Sequence, residues 1–178
     1  MMFTYCPQCS KQHTVQKLDD TNYECKACGW HFWNNSKASV FIALVRDGKM
    51  LVSKRAVDPH KGFYDLPGGF VDFGEDCQAA AIREAREELG VTIARDDLQL
   101  IAAYHNRYSE DVYTVDIGFL VSEWKGEPHA SDKQEIAALE WKPFSFVNDP
   151  LFRECEPHYT GLDEILAQRT ANGSPKVQ

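Results

Sequence analysis

The chain of 178 residues contains no apolar run long enough to cross a membrane: the longest, Val40 to Val45, has six residues where a span needs about 18. Its first residues, Met-Met-Phe-Thr-Tyr-Cys-Pro-Gln-Cys, carry neither the basic nor the apolar stretch of a secretory signal. The expectation is a cytoplasmic protein with no membrane partner, whose thiols stay reduced. Positive charge is also scarce, with 19 Lys and Arg against 27 Asp and Glu and a net charge of −8. Such a balance disfavours generic binding to a nucleic-acid backbone, and an anionic ligand would need a metal ion or focused cations at its site. There is no internal repeat. The six histidines are scattered without the His-Glu-x-x-His spacing of a zinc hydrolase, so none is assigned a catalytic role.

What is present is a globular composition, 43% apolar, 12% aromatic and 26% charged, which excludes a wholly disordered or fibrous chain. The length suits one main domain with a small appendage. Four of the six cysteines form two Cys-x-x-Cys pairs, Cys6 and Cys9, then Cys25 and Cys28 after fifteen intervening residues. Each tight pair can turn both sulfurs onto one ion, and the stretch between can fold as a short hairpin. Four thiolates would close a tetrahedral shell around Zn2+, a structural site with no open position for chemistry. Two disulfides or four free core cysteines are the alternatives. Cys77 and Cys155 read as isolated small hydrophobes.

Residues 1–33 are expected to form a zinc ribbon too short for a core of its own, so that metal supplies its folding energy. Trp30-His31-Phe32-Trp33 reads as an apolar seam that docks it elsewhere, and Asn34-Asn35-Ser36 as a link. The main domain is expected over residues 38–170. Ser39 to Val45 has a buried-strand pattern, and Asp47-Gly48 is a hairpin turn into a second strand at Met50 to Lys54. Further strand-like runs lie at Leu98 to Tyr104, Val112 to Val121 and Ala138 to Trp141. Thr160 to Arg169 reads as a closing helix with Thr160 and Asp163 in capping-box spacing, and residues 171–178 as a flexible tail. Strands flanked by helices predict an α/β (α+β) layered domain with a mixed sheet.

Chemistry concentrates in Gly68 to Val91. From Asp76 to Leu89 the run is free of Pro and Gly and rich in Ala, Glu and Arg, and Gly90 stands where a helix would be closed. Cys77, Ala81, Ala85 and Leu89 recur every four residues and predict a packing face. Glu84, Glu87 and Glu88 fall within a sector of about 100° on the other side. Crowded carboxylates oppose a helix unless a cation neutralises them, and Arg83 reaches Glu87 across one turn. A solvated helix face accounts for the acids alone. The bare backbone of Pro67-Gly68-Gly69 and Gly74 upstream adds carbonyl oxygens, and the combination suits Mg2+ or Mn2+ and phosphoryl or pyrophosphoryl chemistry.

This segment resembles the Nudix box, Gly-x5-Glu-x7-Arg-Glu-(aliphatic)-x-Glu-Glu-x-Gly-(aliphatic). Gly69, Glu75, Arg83, Glu84, Ala85, Glu87, Glu88, Gly90 and Val91 match every fixed position, Ala85 being smaller than the usual aliphatic. The resemblance covers residues 38–170. It implies an αβα sandwich and divalent-metal-dependent hydrolysis of a nucleoside diphosphate linked to another moiety. It makes Glu87 and Glu88 metal ligands, with the carbonyl of Gly68 or Gly69 as a third. Glu84 becomes a ligand or the group that activates water, Arg83 the residue that orients the glutamates, and Glu75 the tie between loop and helix. The base of some members lies on a later loop; Glu135 is placed like it, with Asp132 as rival. Arg55 matches a position that touches substrate phosphate in some members.

A four-Cys module ahead of such a domain is similar to the arrangement in NADH pyrophosphatases. Their Ser-Gln-(Pro)-Trp-Pro-Phe-like stretch is absent, the region reading His105-Asn106-Arg107-Tyr108-Ser109. The proline that many ADP-ribose-cleaving members place after the box is missing too. Tyr108 resembles a tyrosine of dinucleoside-polyphosphate members. Tyr64, Phe70, Tyr108 and Tyr113 could stack a nucleobase. The substrate is therefore expected to be a small-molecule nucleotide of the nucleotide-sugar, dinucleotide or dinucleoside-polyphosphate type, with NADH or an RNA 5′ end as alternatives. The readings of another class are a non-catalytic nucleotide sensor and a zinc-ribbon nucleic-acid binder. Lys11, Lys17 and Lys26 are offset by Asp19, Asp20 and Glu24, which leaves no basic stripe for nucleic acid. The ribbon tryptophans suit a homodimer surface as well.

Overall fold

The computed structural model describes residues 3–58, 60–152 and 159–171; Cys155 and residues 172–178 of the expected tail lie outside the described residues. The chain divides into two compact units, Met1–Ser36 and Lys37–Gln178. No helix among the described residues is long and apolar enough to cross a membrane.

The first unit is an antiparallel sheet of β1 (Val15–Lys17), β2 (Asn22–Cys25) and β3 (His31–Trp33), in that order. Its buried set is small: Val15 and two of the four cysteines, Cys6 and Cys25, with Phe3, Tyr23 and Trp30 packed on them. Phe32 meets Phe3 edge-on at 5.2 Å and stacks on Trp30 at 5.9 Å. The residues expected to form an outward seam therefore pack partly within the unit. The reason is the pairing of β3 with β2, whose two-residue alternation sends Phe32 to one face, while His31 and Trp33 stack on each other at 5.0 Å.

In the second unit, β4 (Lys37–Arg46) and β5 (Lys49–Arg55) are joined by Asp47 and Gly48, both at positive φ, the geometry of a tight hairpin turn. The short strands β6 (Tyr64–Asp65) and β7 (Gly68–Phe70) precede helix α1 (Cys77–Leu89). After a 3-10 turn at Arg95–Asp97 come β8 (Gln99–Ser109), β9 (Val112–Val121) and β10 (Ile136–Pro143). A second 3-10 turn (Phe144–Asn148) and helix α2 (Leu162–Ala171) close the unit. The sheet runs β10-β5-β4-β9-β8, with β6 on β5 and β7 on β4. Since β4 and β9 are parallel and the other pairs antiparallel, the sheet is mixed.

The apolar run of β4 explains the layering. Val40, Ile42 and Leu44 pack with Ala80, Ala81, Ala85 and Leu89 of α1. Phe41, Ala43 and Val45 pack with Leu162 and Leu166 of α2. A strand covered on both faces is apolar at consecutive positions, and the result is an αβα sandwich.

The ends of α1 follow local rules. The Asp76 carboxylate accepts from the Ala79 amide at the N-terminus, and Gly90 closes the C-terminus at φ +66. The expected capping box of α2 does not form. The helix begins at Leu162 behind Gly161, whose φ is +75, and Asp163 accepts instead from the Asn148 side chain at 2.8 Å. Thr160 thus stands one residue too early to cap.

Candidate functional site

The site is assembled where β7 and α1 meet. Gly68 and Gly69 pair with Phe41 and Val40 of β4. A Cβ on Gly68 would lie 2.1 Å from the Val40 carbonyl oxygen, so the strands approach this closely only with glycine there. A Cβ on Gly69 would lie 2.3 Å from Glu84 Oε1, which shows how tightly that carboxylate is held against bare backbone.

Arg83 organises the acids. Its Nε and Nη2 donate to the two oxygens of Glu75 at 3.1 and 3.0 Å, a forked pair that ties the loop to the helix. Nη1 donates to Glu84 at 2.7 Å and to Glu87 at 3.2 Å, and Nη2 also donates to the Phe70 carbonyl at 3.0 Å. These partners raise the Arg83 pKa, and Arg83 in turn lowers that of Glu75. Glu88 accepts from the Gly68 amide at 2.9 Å. Burial nevertheless pushes its pKa up to about 8, with the charges of Glu84, Glu135 and Asp65 adding to the rise. Burial also raises Glu84 in spite of Arg83. Buried acids shifted in this direction are a site short of positive charge.

A cavity of about 520 Å3 opens over these groups. Glu84, Glu87, Glu88, Gly68, Gly69 and Arg83 line it, and so do Arg55 from the end of β5 and Glu135 from the segment before β10. Its rival Asp132 lines the cavity as well, but one carboxylate oxygen is taken by the amides of Gln134 and Glu135 at 2.8 and 3.3 Å. Tyr108 stands at the cavity against Phe70, rings edge to face at 5.3 Å. Tyr64 does not join it; the residue is buried in the core, and Tyr113 stacks on His105 instead. Glu75 and Gly90 lie outside the cavity-lining set, at the loop tie and the helix end.

Comparison with known families matches a NUDIX domain over residues 35–163. The chain belongs to the NUDIX domain family. This NUDIX chain is 32% identical over 91 residues to a Haemophilus influenzae protein described as NAD-capped RNA hydrolase NudC, covering 50% of this chain and 34% of that one. It is 25% identical over 172 residues to the Pseudomonas aeruginosa protein of the same description, covering 96% of this chain and 58% of the relative. The chain thus spans between about a third and three-fifths of the length of these relatives. Its structure is similar to the crystal structure of a MutT NUDIX hydrolase from Burkholderia pseudomallei, with a TM-score of 0.61 and 28% identity over 75% of this chain and 98% of that one.

The NUDIX chain carries a second cluster in its first unit. The ligand atoms of Cys6, Cys9, Cys25 and Cys28 all lie within 4.8 Å of one another, a metal-compatible set. The Cys6–Cys28 and Cys9–Cys25 sulfurs are 3.8 Å apart, far beyond a disulfide bond, so the disulfide alternative is removed. A tetrahedron with metal–sulfur bonds of about 2.3 Å has an edge of about 3.8 Å. Thr14 Oγ1 lies 3.2 Å from Cys25 Sγ, and this hydrogen bond pulls the thiol down to about 6.

Sequence reasoning missed the far wall of the cavity, to which Ser39, Asp65, Thr114, Asp116 and Tyr159 contribute. The available signal was the polar pair Thr114 and Asp116 at alternate positions of an otherwise apolar strand.

Proposed function

We propose that the chain is a divalent-metal-dependent pyrophosphohydrolase that cleaves a nucleoside diphosphate linked to another moiety. The observation that carries this reading is the convergence of Glu84, Glu87, Glu88 and Glu135 with the Gly68-Gly69 backbone and Arg55 around one cavity.

The donor set suits Mg2+ or Mn2+, being all hard oxygen and short of positive charge, as the raised Glu84 and Glu88 indicate. Glu84, Glu87, Glu88 and the carbonyl of Gly68 or Gly69 would hold the ion. When bound, such an ion offsets phosphate charge, polarises the P–O bond and acidifies water. The remaining work falls to the chain. Arg83 keeps Glu84 and Glu87 in register, and Arg55 receives phosphate charge. A water oxygen forms the new P–O bond as the bridging P–O bond breaks. Its proton passes to Glu135, whose carboxylate borders the cavity while Asp132 caps its own turn; Glu84 is the other base. In the first unit, Cys6, Cys9, Cys25 and Cys28 hold a structural Zn2+, with every position filled by protein.

The test is turnover of a panel of nucleoside diphosphate derivatives with Mg2+ and Mn2+, the products resolved by chromatography. Glu84→Gln and Glu88→Gln are expected to lose at least about 100-fold in kcat. Near-normal turnover by both, folded and metal-loaded, sinks the assignment. A second reading is favoured by the relative from Pseudomonas aeruginosa, described as an NAD-capped RNA hydrolase and matched over 96% of this chain. Release of a 5′-monophosphate RNA from NAD-capped RNA in the same panel decides between a small nucleotide and a capped end.

A further inference from the structure

The cavity ends on a polar wall built by three strands. Thr114 and Asp116 lie on one face of β9; Asn106 of β8 is paired with Thr114, and Ser39 of β4 with Asp116. All four are buried, Thr114 and Asn106 at 1% exposure. Asp116 accepts hydrogen bonds from the Ser39 hydroxyl, the Asn106 carboxamide and, at 3.3 Å, the Tyr159 hydroxyl. Buried polar groups in folded proteins are nearly always bonded in this way.

Thr114 departs from that rule. Its Oγ1 is buried with no hydrogen-bond partner among the described residues, yet the residue lines the cavity beside Ser39, Asp116 and Tyr159. Valine has the same shape without the hydroxyl, so the oxygen adds nothing to packing and leaves an unmet bond. A ligand group in the cavity that Thr114 lines is the partner left to supply that bond. A phosphate is disfavoured here by the Asp116 carboxylate behind. A flat heteroaromatic ring fits better, because Phe70 and Tyr108, less buried than this wall and edge to face at 5.3 Å, line the same cavity. A hydroxyl can also donate to a ring nitrogen or accept from an amino group.

We propose that Thr114 reads the nucleobase of the substrate, its hydroxyl bonding to a polar edge of the base on the wall held by Asp116, Asn106 and Ser39. This rests on the reading of the cavity as a nucleotide site. Because Thr114 contributes ground-state binding, its loss shows in KM more than in kcat.

The test is calorimetric titration of the full chain, without divalent metal, with AMP, GMP, CMP, UMP and ribose 5-phosphate. One nucleoside monophosphate is expected to bind best. Thr114→Val weakens it about 5- to 10-fold, the worth of one neutral hydrogen bond, and Thr114→Ser restores it. The Val variant should melt at or above the parent's temperature, and its KM for the matching substrate should rise by the same factor. In the unaltered chain, the Thr114 methyl resonance should shift on titration with that monophosphate, a readout that needs no variant. No shift, equal affinity for all four bases, or equal binding by the Val variant overturns the proposal. Ribose 5-phosphate binding with the same Thr114 dependence also overturns it, by assigning the hydroxyl to the sugar. Turnover without Thr114-dependent binding removes this site and leaves the hydrolase; Thr114-dependent binding without turnover does the reverse.

Discussion

Glu88 sits among Glu84, Glu135 and Asp65 and accepts from the Gly68 amide, yet burial dominates and its pKa reaches about 8. An unfolded glutamate ionises near 4.3, so the folded chain holds this proton more tightly. The resulting stability is fully present below about pH 4.3 and is lost as pH rises through about 8. Glu88→Gln removes the titration. In metal-free protein the variant should therefore gain on the parent between pH 5 and pH 8, by on the order of 5–10 °C in Tm. A flat difference across that range would show that Glu88 ionises normally. The three helix glutamates were legible because spacing alone places them on one side. Their different fates were not: the Glu87 side chain is 53% exposed and Glu84 13%, which depends on how β7 and Arg83 close over the helix.

The end of α1 shows how one element positions another. The His129 amide donates to the Leu89 carbonyl at 3.0 Å and the Ser131 amide to that of Glu88 at 2.9 Å, pinning the segment that leads to Glu135. Gly90 permits this. Its φ is +66, and a Cβ there would lie 2.2 Å from a ring carbon of His129. Gly90→Ala is expected to cost about 1–3 kcal/mol and to displace that segment. Urea unfolding combined with turnover checks it: an unchanged midpoint refutes the strain, and unchanged kcat refutes the link to Glu135. The helix itself was readable, since Asp76, Gly90 and the apolar period are local signals. Strand β8 runs beyond its expected end at Tyr104, to Ser109, because His105 to Ser109 become strand by pairing with β9. In β9 the usual alternation is inverted, Tyr113 and Val115 being exposed while Thr114 and Asp116 are buried, and that inversion forms the cavity wall.

At the scale of the molecule, the two units differ in what holds them. Residues 37–178 have apolar packing on both faces of a mixed sheet. Among the described residues of the first unit the buried core is Val15 with two of the four clustered cysteines, Cys6 and Cys25, and rings packed beside them. A structural zinc is worth on the order of 10–16 kcal/mol in small modules of this kind. On the proposed reading of the cysteine quartet as a zinc site, a chelator should abolish amide-exchange protection in the first unit and leave the strands of the second protected. Retained protection in the first unit after complete metal removal would mean that its aromatic core suffices.

The order of residues was enough to define the cysteine quartet, the hairpin at Asp47-Gly48, the capped helix and the acids it carries, because each depends on spacing within a few turns of chain. Long-range pairing had to supply the rest. The parallel register of β4 with β9 brings Ser39 to Asp116, and the antiparallel register of β8 brings Asn106 to Thr114. Partners 77 positions apart, or eight apart across a hairpin, leave no mark in local composition, so the side of the cavity that would choose a substrate emerges only when the sheet closes.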